Sequence, residues 1–109
     1  MSTEDILHQI TEILEQRKHA LAQDSYVARL YAGGLDAILA KISEEAVETV
    51  EAAATDDLGH LVHEVADLWF HCMVLLAYKE SSHEAVLAEL AGRFGVSGLV
   101  EKAGREPAH

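Results

Sequence analysis

Proline is almost missing from this chain. Among 109 residues the only one is Pro107, so no ring-locked nitrogen interrupts a helix between Met1 and Glu106. Aromatic residues are also scarce, at 6%, whereas Ala, Leu and Glu abound. That balance predicts an all-α fold. Cys72 is the single cysteine, which excludes an intrachain disulfide. Lying in an apolar run, it reads as a small buried hydrophobe, and a reducing compartment fits. Basic side chains number 8 against 19 acidic ones, a formal net charge of −11. Such an excess argues against a nucleic-acid backbone or an anionic membrane as partner. An anionic substrate would need a metal or a local basic patch. Met1-Ser2-Thr3-Glu4-Asp5 has neither the basic start nor the apolar stretch of a signal peptide. The longest nearly apolar run, Leu68 to Ala77, is short for a bilayer and contains His71. One cytoplasmic domain spanning residues 1–109 is expected.

What is present is helical periodicity with capping chemistry between the helices. Ser2 or Thr3 can cap a first helix whose stripe is Ile6, Leu7, Ile10, Ile13 and Leu14. Ala22 to Ser25 reads as a connection, and Ser25 caps a short piece, Tyr26 to Tyr31, ended by Gly33-Gly34. A longer helix follows from Leu35 to Ala54, with Leu35, Ile38, Leu39, Ile42, Ala46, Thr49 and Ala53 in one arc. Thr55-Asp56-Asp57 breaks the chain and caps a helix from Leu58 to Tyr78. Its main stripe is Leu58, Leu61, Val62, Val65, Trp69, Cys72 and Leu76. Beyond Asp67 it is apolar nearly all round, which implies burial on several sides and hence a subunit interface. Ser81-Ser82 caps a last helix, His83 to Phe94, with Val86, Leu87, Leu90, Ala91 and Phe94 on its apolar face. The tail from Val96 to Arg105 has the pattern of a last helical turn.

The chemistry concentrates in two acidic pairs, Glu45 with Glu48 and Glu64 with Asp67. A spacing of three turns the helix through about 300°, so each pair shares a face. At about 100° per residue, Glu45 lies beside the Ile42 stripe, with Lys41 between Glu45 and Glu48, while Glu44 and Glu51 point outward. Four crowded carboxylates repel unless a cation sits among them. Oxygen-only donors select Mg²⁺, Mn²⁺ or Ca²⁺. Such an ion neutralises phosphate charge and activates water for in-line attack, and a spare carboxylate can take the proton. Pyrophosphate-releasing hydrolysis follows from those parts. The plain alternative is a solvated acidic face on a non-catalytic helical interaction module. A zinc site built from His60, His63 and His71 is a rival, but no HExxH spacing supports it. His71 shares the flank of Glu64 and Asp67, either as a site residue or as a hydrogen-bonded histidine near the core.

The same residues carry a family resemblance. Glu44-Glu45-x-x-Glu48 followed by Glu64-x-x-Asp67 resembles the EExxE…ExxD pattern of the all-α nucleoside triphosphate pyrophosphatases, the MazG-type superfamily. Within it, Ser25 to Leu30, Lys41 to Glu45, His60 to His71 and Gly98 to Arg105 resemble the phosphoribosyl-ATP pyrophosphatase family of histidine biosynthesis. Phe70 stands where that family frequently has Tyr. The resemblance implies a four-to-five-helix bundle completed by homodimerisation, and Mg²⁺-dependent hydrolysis of phosphoribosyl-ATP to phosphoribosyl-AMP and pyrophosphate. It implies catalytic roles for Glu44, Glu45, Glu48, Glu64 and Asp67, with the last four as metal ligands. Lys41, Lys102 and Arg105 become candidates for phosphate contacts, and Tyr26 and Arg29 for substrate or interface contacts. A single Cys and the chain length suggest a stand-alone enzyme without a fused cyclohydrolase. A house-cleaning pyrophosphatase for other nucleotides is the alternative within the superfamily.

Overall fold

The computed structural model describes Thr3 and residues 5–94. Among the described residues the chain is all-helical. Helix α1 runs Ile6–Arg17, α2 Tyr26–Ala53, α3 Leu58–Tyr78 and α4 His83–Phe94, and a single 3₁₀ turn, Ala22–Asp24, joins α1 to α2. The sequence expectations for the tail, including Lys102 and Arg105, fall outside the described residues.

The helix starts follow capping chemistry with one exception. Ser25 Oγ accepts from the Ala28 amide at 3.2 Å, and Asp57 Oδ1 accepts from the His60 amide at 3.0 Å. Each satisfies one of the amides that a first helical turn leaves without a partner. Helix α1 instead starts after Asp5, whose side chain makes no capping bond, so the expected cap at Ser2 or Thr3 is not the one used.

Gly34 interrupts α2. Its φ of 79° and ψ of −170° lie in a region that is essentially glycine-only. Helix resumes at once at Leu35, so the short piece and the longer helix join without a loop. The segment Tyr26 to Gly33 can thereby take its own direction against α1 and α3.

Helices α2 and α3 form a hairpin through the turn at residues 54–57, and α1 and the first segment of α2 close one end of it. The core gathers Leu14 of α1, Val27, Leu30 and Ile38 of α2, and Met73, Val74 and Ala77 of α3. Leu14, Ile38 and Val74 are completely enclosed. Burying each side chain of this size contributes roughly 1.5–3 kcal/mol. Tyr31 donates to the Leu14 carbonyl at 3.0 Å and stacks on Tyr78, which pins α1 to the hairpin.

The rotation of the two long helices differs from the hydrophobic arcs. On α2 the buried line is Ile38, Glu45 and Ala52, while Leu39 and Ala53 are exposed. Those positions are seven apart, the repeat of two long helices packed side by side. On α3 the buried residues are Glu64, His71, Met73, Val74 and Ala77. Leu58, Val62 and Trp69, expected on its main stripe, are exposed. Because α3 is apolar nearly all round, its pattern cannot select the side that α2 covers. With 21 residues and high hydropathy, α3 is long enough to cross a membrane by length and composition alone. It nevertheless buries Glu64 and His71 against the rest of the chain, as the central helix of a bundle does.

Candidate active site

The buried polar residues all gather along the α2–α3 hairpin. Glu45, Glu64 and His71 are 5%, 7% and 5% exposed. Carboxylates are almost never this buried without a partner. On α2, ligand atoms of Glu44, Glu45 and Glu48 lie within 4.8 Å of one another, and on α3 those of His63, Glu64 and Asp67 do the same. Thr49 ties the two helices together at this level. Its Oγ1 donates to the Glu45 carbonyl at 2.8 Å and lies 3.4 Å from the Glu64 carbonyl.

Glu45 occupies the centre of the α2 seam rather than its flank. One carboxylate oxygen is 3.6 Å from Lys41 Nζ, and the other is buried with no hydrogen-bond partner. A buried acceptor without a partner costs about 1–3 kcal/mol, and more when charged. The expense is avoided if a cation binds there. All the carboxylates offer hard oxygen donors, so the set fits a hard divalent ion, with His63 as a nitrogen donor at its rim.

Glu48, only partly exposed, carries the electrostatic record of this crowding. The neighbouring Glu45 carboxyl first, then burial, then the charges of Glu45, Glu64 and Glu44 push its carboxyl above the ordinary 4.5. Crowding of this kind disfavours a further negative charge, and a cation there would relieve it.

Glu44 is exposed, as helical phase demands, yet it turns back toward the site. Its carboxylate is 3.4 Å from Lys41 Nζ. Burial alone would lower the Lys41 pKa, but Tyr26, Glu44 and Glu45 outweigh it and raise the value. Lys41 therefore keeps its charge, held between two carboxylates at the edge of the cluster. Asp67 is partly exposed, and His63 Nε2 lies 3.5 Å from its Oδ2. His63 is a surface residue, but i,i+4 spacing lets it reach Asp67.

Three residues join the site that spacing of carboxylates does not reveal. Thr49 carries the inter-helix contact described above. His71 is enclosed, and its Nδ1 is 2.7 Å from the Asp67 carbonyl oxygen. Tyr26 reaches from the start of α2, and its hydroxyl is 2.7 Å from His71 Nε2. The Tyr26 pKa is raised, first by burial and also by Glu45, Glu44 and Asp67, with Lys41 opposing. The signal for His71 was its angular position between Glu64 and Asp67; Tyr26 had none beyond the family pattern.

Comparison with known proteins agrees with this arrangement. The family model described as phosphoribosyl-ATP pyrophosphohydrolase matches residues 7–94, which include every acidic residue of the site. A phosphoribosyl-ATP pyrophosphatase of Methylococcus capsulatus is 58% identical over 102 residues, covering 94% of this chain and 97% of the relative. A phosphoribosyl-ATP pyrophosphatase of Chromobacterium violaceum is 54% identical over 105 residues, covering 96% and 97%. On this near-full-length agreement, the chain belongs to the phosphoribosyl-ATP pyrophosphohydrolase family.

Proposed function

We propose that this protein hydrolyses phosphoribosyl-ATP to phosphoribosyl-AMP and pyrophosphate, a step of histidine biosynthesis, using Mg²⁺ held by Glu45, Glu48, Glu64 and Asp67. The observation that carries the chemistry is the buried Glu45 oxygen without a partner, within a cluster of carboxylates. The substrate is supported by the two relatives, named for it and matching almost end to end. When bound, Mg²⁺ would offset phosphate charge and polarise the phosphoryl group under attack.

The remaining work falls to the chain itself. Lys41, fixed by Glu44 and Glu45, supplies a permanent positive charge at the edge of the cluster. A carboxylate of the cluster that the ion leaves free can accept the proton of the attacking water. Glu44 acts through Lys41. Lys102 and Arg105 contribute phosphate contacts from the tail, countering the overall charge of −11.

The assembly is a homodimer. Trp69, Val62 and Leu58 of α3, with Val86, Leu87 and Leu90 of α4, expose apolar surface that a second copy would cover. Phosphoribosyl-ATP is the partner, with no nucleic acid and no membrane, and the cytoplasm is the location.

Pyrophosphate release from phosphoribosyl-ATP, with and without Mg²⁺, tests the proposal in the wild type and in Glu64→Gln. Release should require Mg²⁺, and Glu64→Gln should lose on the order of 10²-fold or more, since even groups that merely support metal ligands cost 10–100-fold. Equal turnover by both proteins would remove the metal-site assignment. Turnover of dCTP or dUTP, with none of phosphoribosyl-ATP, would overturn the substrate.

A further inference from the structure

A chain of hydrogen bonds crosses the hairpin beside the carboxylates. The Tyr26 hydroxyl meets His71 Nε2 at 2.7 Å, and His71 Nδ1 meets the Asp67 carbonyl oxygen at 2.7 Å. A carbonyl oxygen only accepts, so Nδ1 carries the ring proton. In the neutral imidazole Nε2 is then the bare nitrogen, and the Tyr26 hydroxyl donates to it. Both bonds thus have a fixed direction. The imidazole is enclosed, with the rings of Tyr26 and Phe70 edge-on to it at 5.8 and 5.3 Å.

The two ends of this chain belong to separate parts of the molecule. Asp67 sits on the turn of α3 that also carries Glu64. Tyr26 sits ahead of the break at Gly34, whereas Glu44, Glu45 and Glu48 come after it. Helix continuity therefore does not dictate where Tyr26 meets α3. The core side chains Val27 and Leu30 of that segment and these hydrogen bonds do, and the bonds end on the backbone of a residue whose side chain faces the site.

We propose that Tyr26 and His71 are a positioning pair: the Tyr26–His71–Asp67 chain fixes the acidic turn of α3 against α2 and so sets how tightly the carboxylates take a divalent cation. This rests on the cation-binding function proposed above. Neither ring is a ligand. Without the hydroxyl, Nε2 is a buried acceptor with no donor, the imidazole is free to turn, and the Asp67 turn loses its anchor.

The test uses Tyr26→Phe, which removes only the hydroxyl, and His71→Asn, whose amide can replace Nδ1–H but not the Nε2 acceptor. Mn²⁺ serves as the probe, its dissociation constant read from the paramagnetic resonance of the free ion, and thermal melting in EDTA reports the fold. Tyr26→Phe should weaken Mn²⁺ binding roughly ten- to a hundredfold. His71→Asn should do likewise, and the double variant should be no weaker than either, because all three break the same link. Unchanged Mn²⁺ affinity in both single variants would overturn the pair's role, even if their melting temperatures fall. Fully additive losses in the double variant would also overturn it. Failure of the wild type to take up Mn²⁺ would overturn the cation site itself and the pair with it. Should Tyr26→Phe not fold, His71→Asn decides alone.

Discussion

On the side of α3 that meets α2, Glu64 and His71 are almost completely enclosed, while on the other side Trp69 and Val62 are 62% and 59% exposed. A helix of a soluble monomer has the opposite arrangement, with apolar residues inward and charged ones outward. The cation and the second copy proposed above would account for the two sides. The inner side has the α2 carboxylates opposite it, and their burial makes sense if a cation compensates the charge. The outer side forms, with Leu7 of α1 and Val86, Leu87 and Leu90 of α4, an apolar cavity of about 320 Å³. Its polar lining is nearly absent, so a second copy of the chain fits it better than an anionic nucleotide does.

Breaking the outer side should have the larger structural effect. Trp69→Glu puts a charge in the centre of that surface and should weaken self-association by at least about 2 kcal/mol, the loss typical of a central aromatic anchor. Sedimentation at several concentrations would detect monomers. An unchanged assembly would mean that the apolar side of α3 has another purpose and would break the comparison.

The inner side gives a smaller effect, visible in pH. Glu48 in the folded protein holds its proton above the ordinary 4.5, owing first to the neighbouring Glu45 carboxyl. The folded state therefore binds more proton than the unfolded one in the window from the unfolded pKa up to the folded one. This contribution to stability is fully present below the unfolded pKa and is lost as pH rises through the folded one. Melting in EDTA between about pH 4 and 7 should show this loss, and Glu48→Gln should reduce it. An identical pH profile in the variant would mean that Glu48 is not the group whose proton the fold retains.

The sequence was legible where chemistry is local. Ser25 and Asp57 cap helices because their side chains accept amides one turn ahead, and Gly34 breaks α2 because only glycine tolerates its backbone. The carboxylate pairs were also legible, since helical spacing alone puts each pair on one face. What escaped was rotation about the helix axes. Apolar arcs placed Glu45 beside the core and Trp69 within it, whereas Glu45 is central and Trp69 exposed. Periodicity ranks residues by the transfer of isolated side chains to an apolar phase. It is blind to a site that encloses charge and to an apolar side that the rest of the chain leaves uncovered. Glu44 is the instructive middle case. Phase pointed it outward and the family pattern placed it in the site; it is exposed, and its carboxylate reaches back to Lys41.

Calorimetric titration of metal-free protein with Mg²⁺, for the wild type and Glu45→Gln, is the most direct test of a seam built to hold a cation. The wild type should bind Mg²⁺. Glu45→Gln should bind it far more weakly yet melt in EDTA no lower than the wild type, because the variant no longer buries an uncompensated charge. Equal Mg²⁺ binding by the two proteins, or a lower melting temperature for the metal-free variant, would contradict the account.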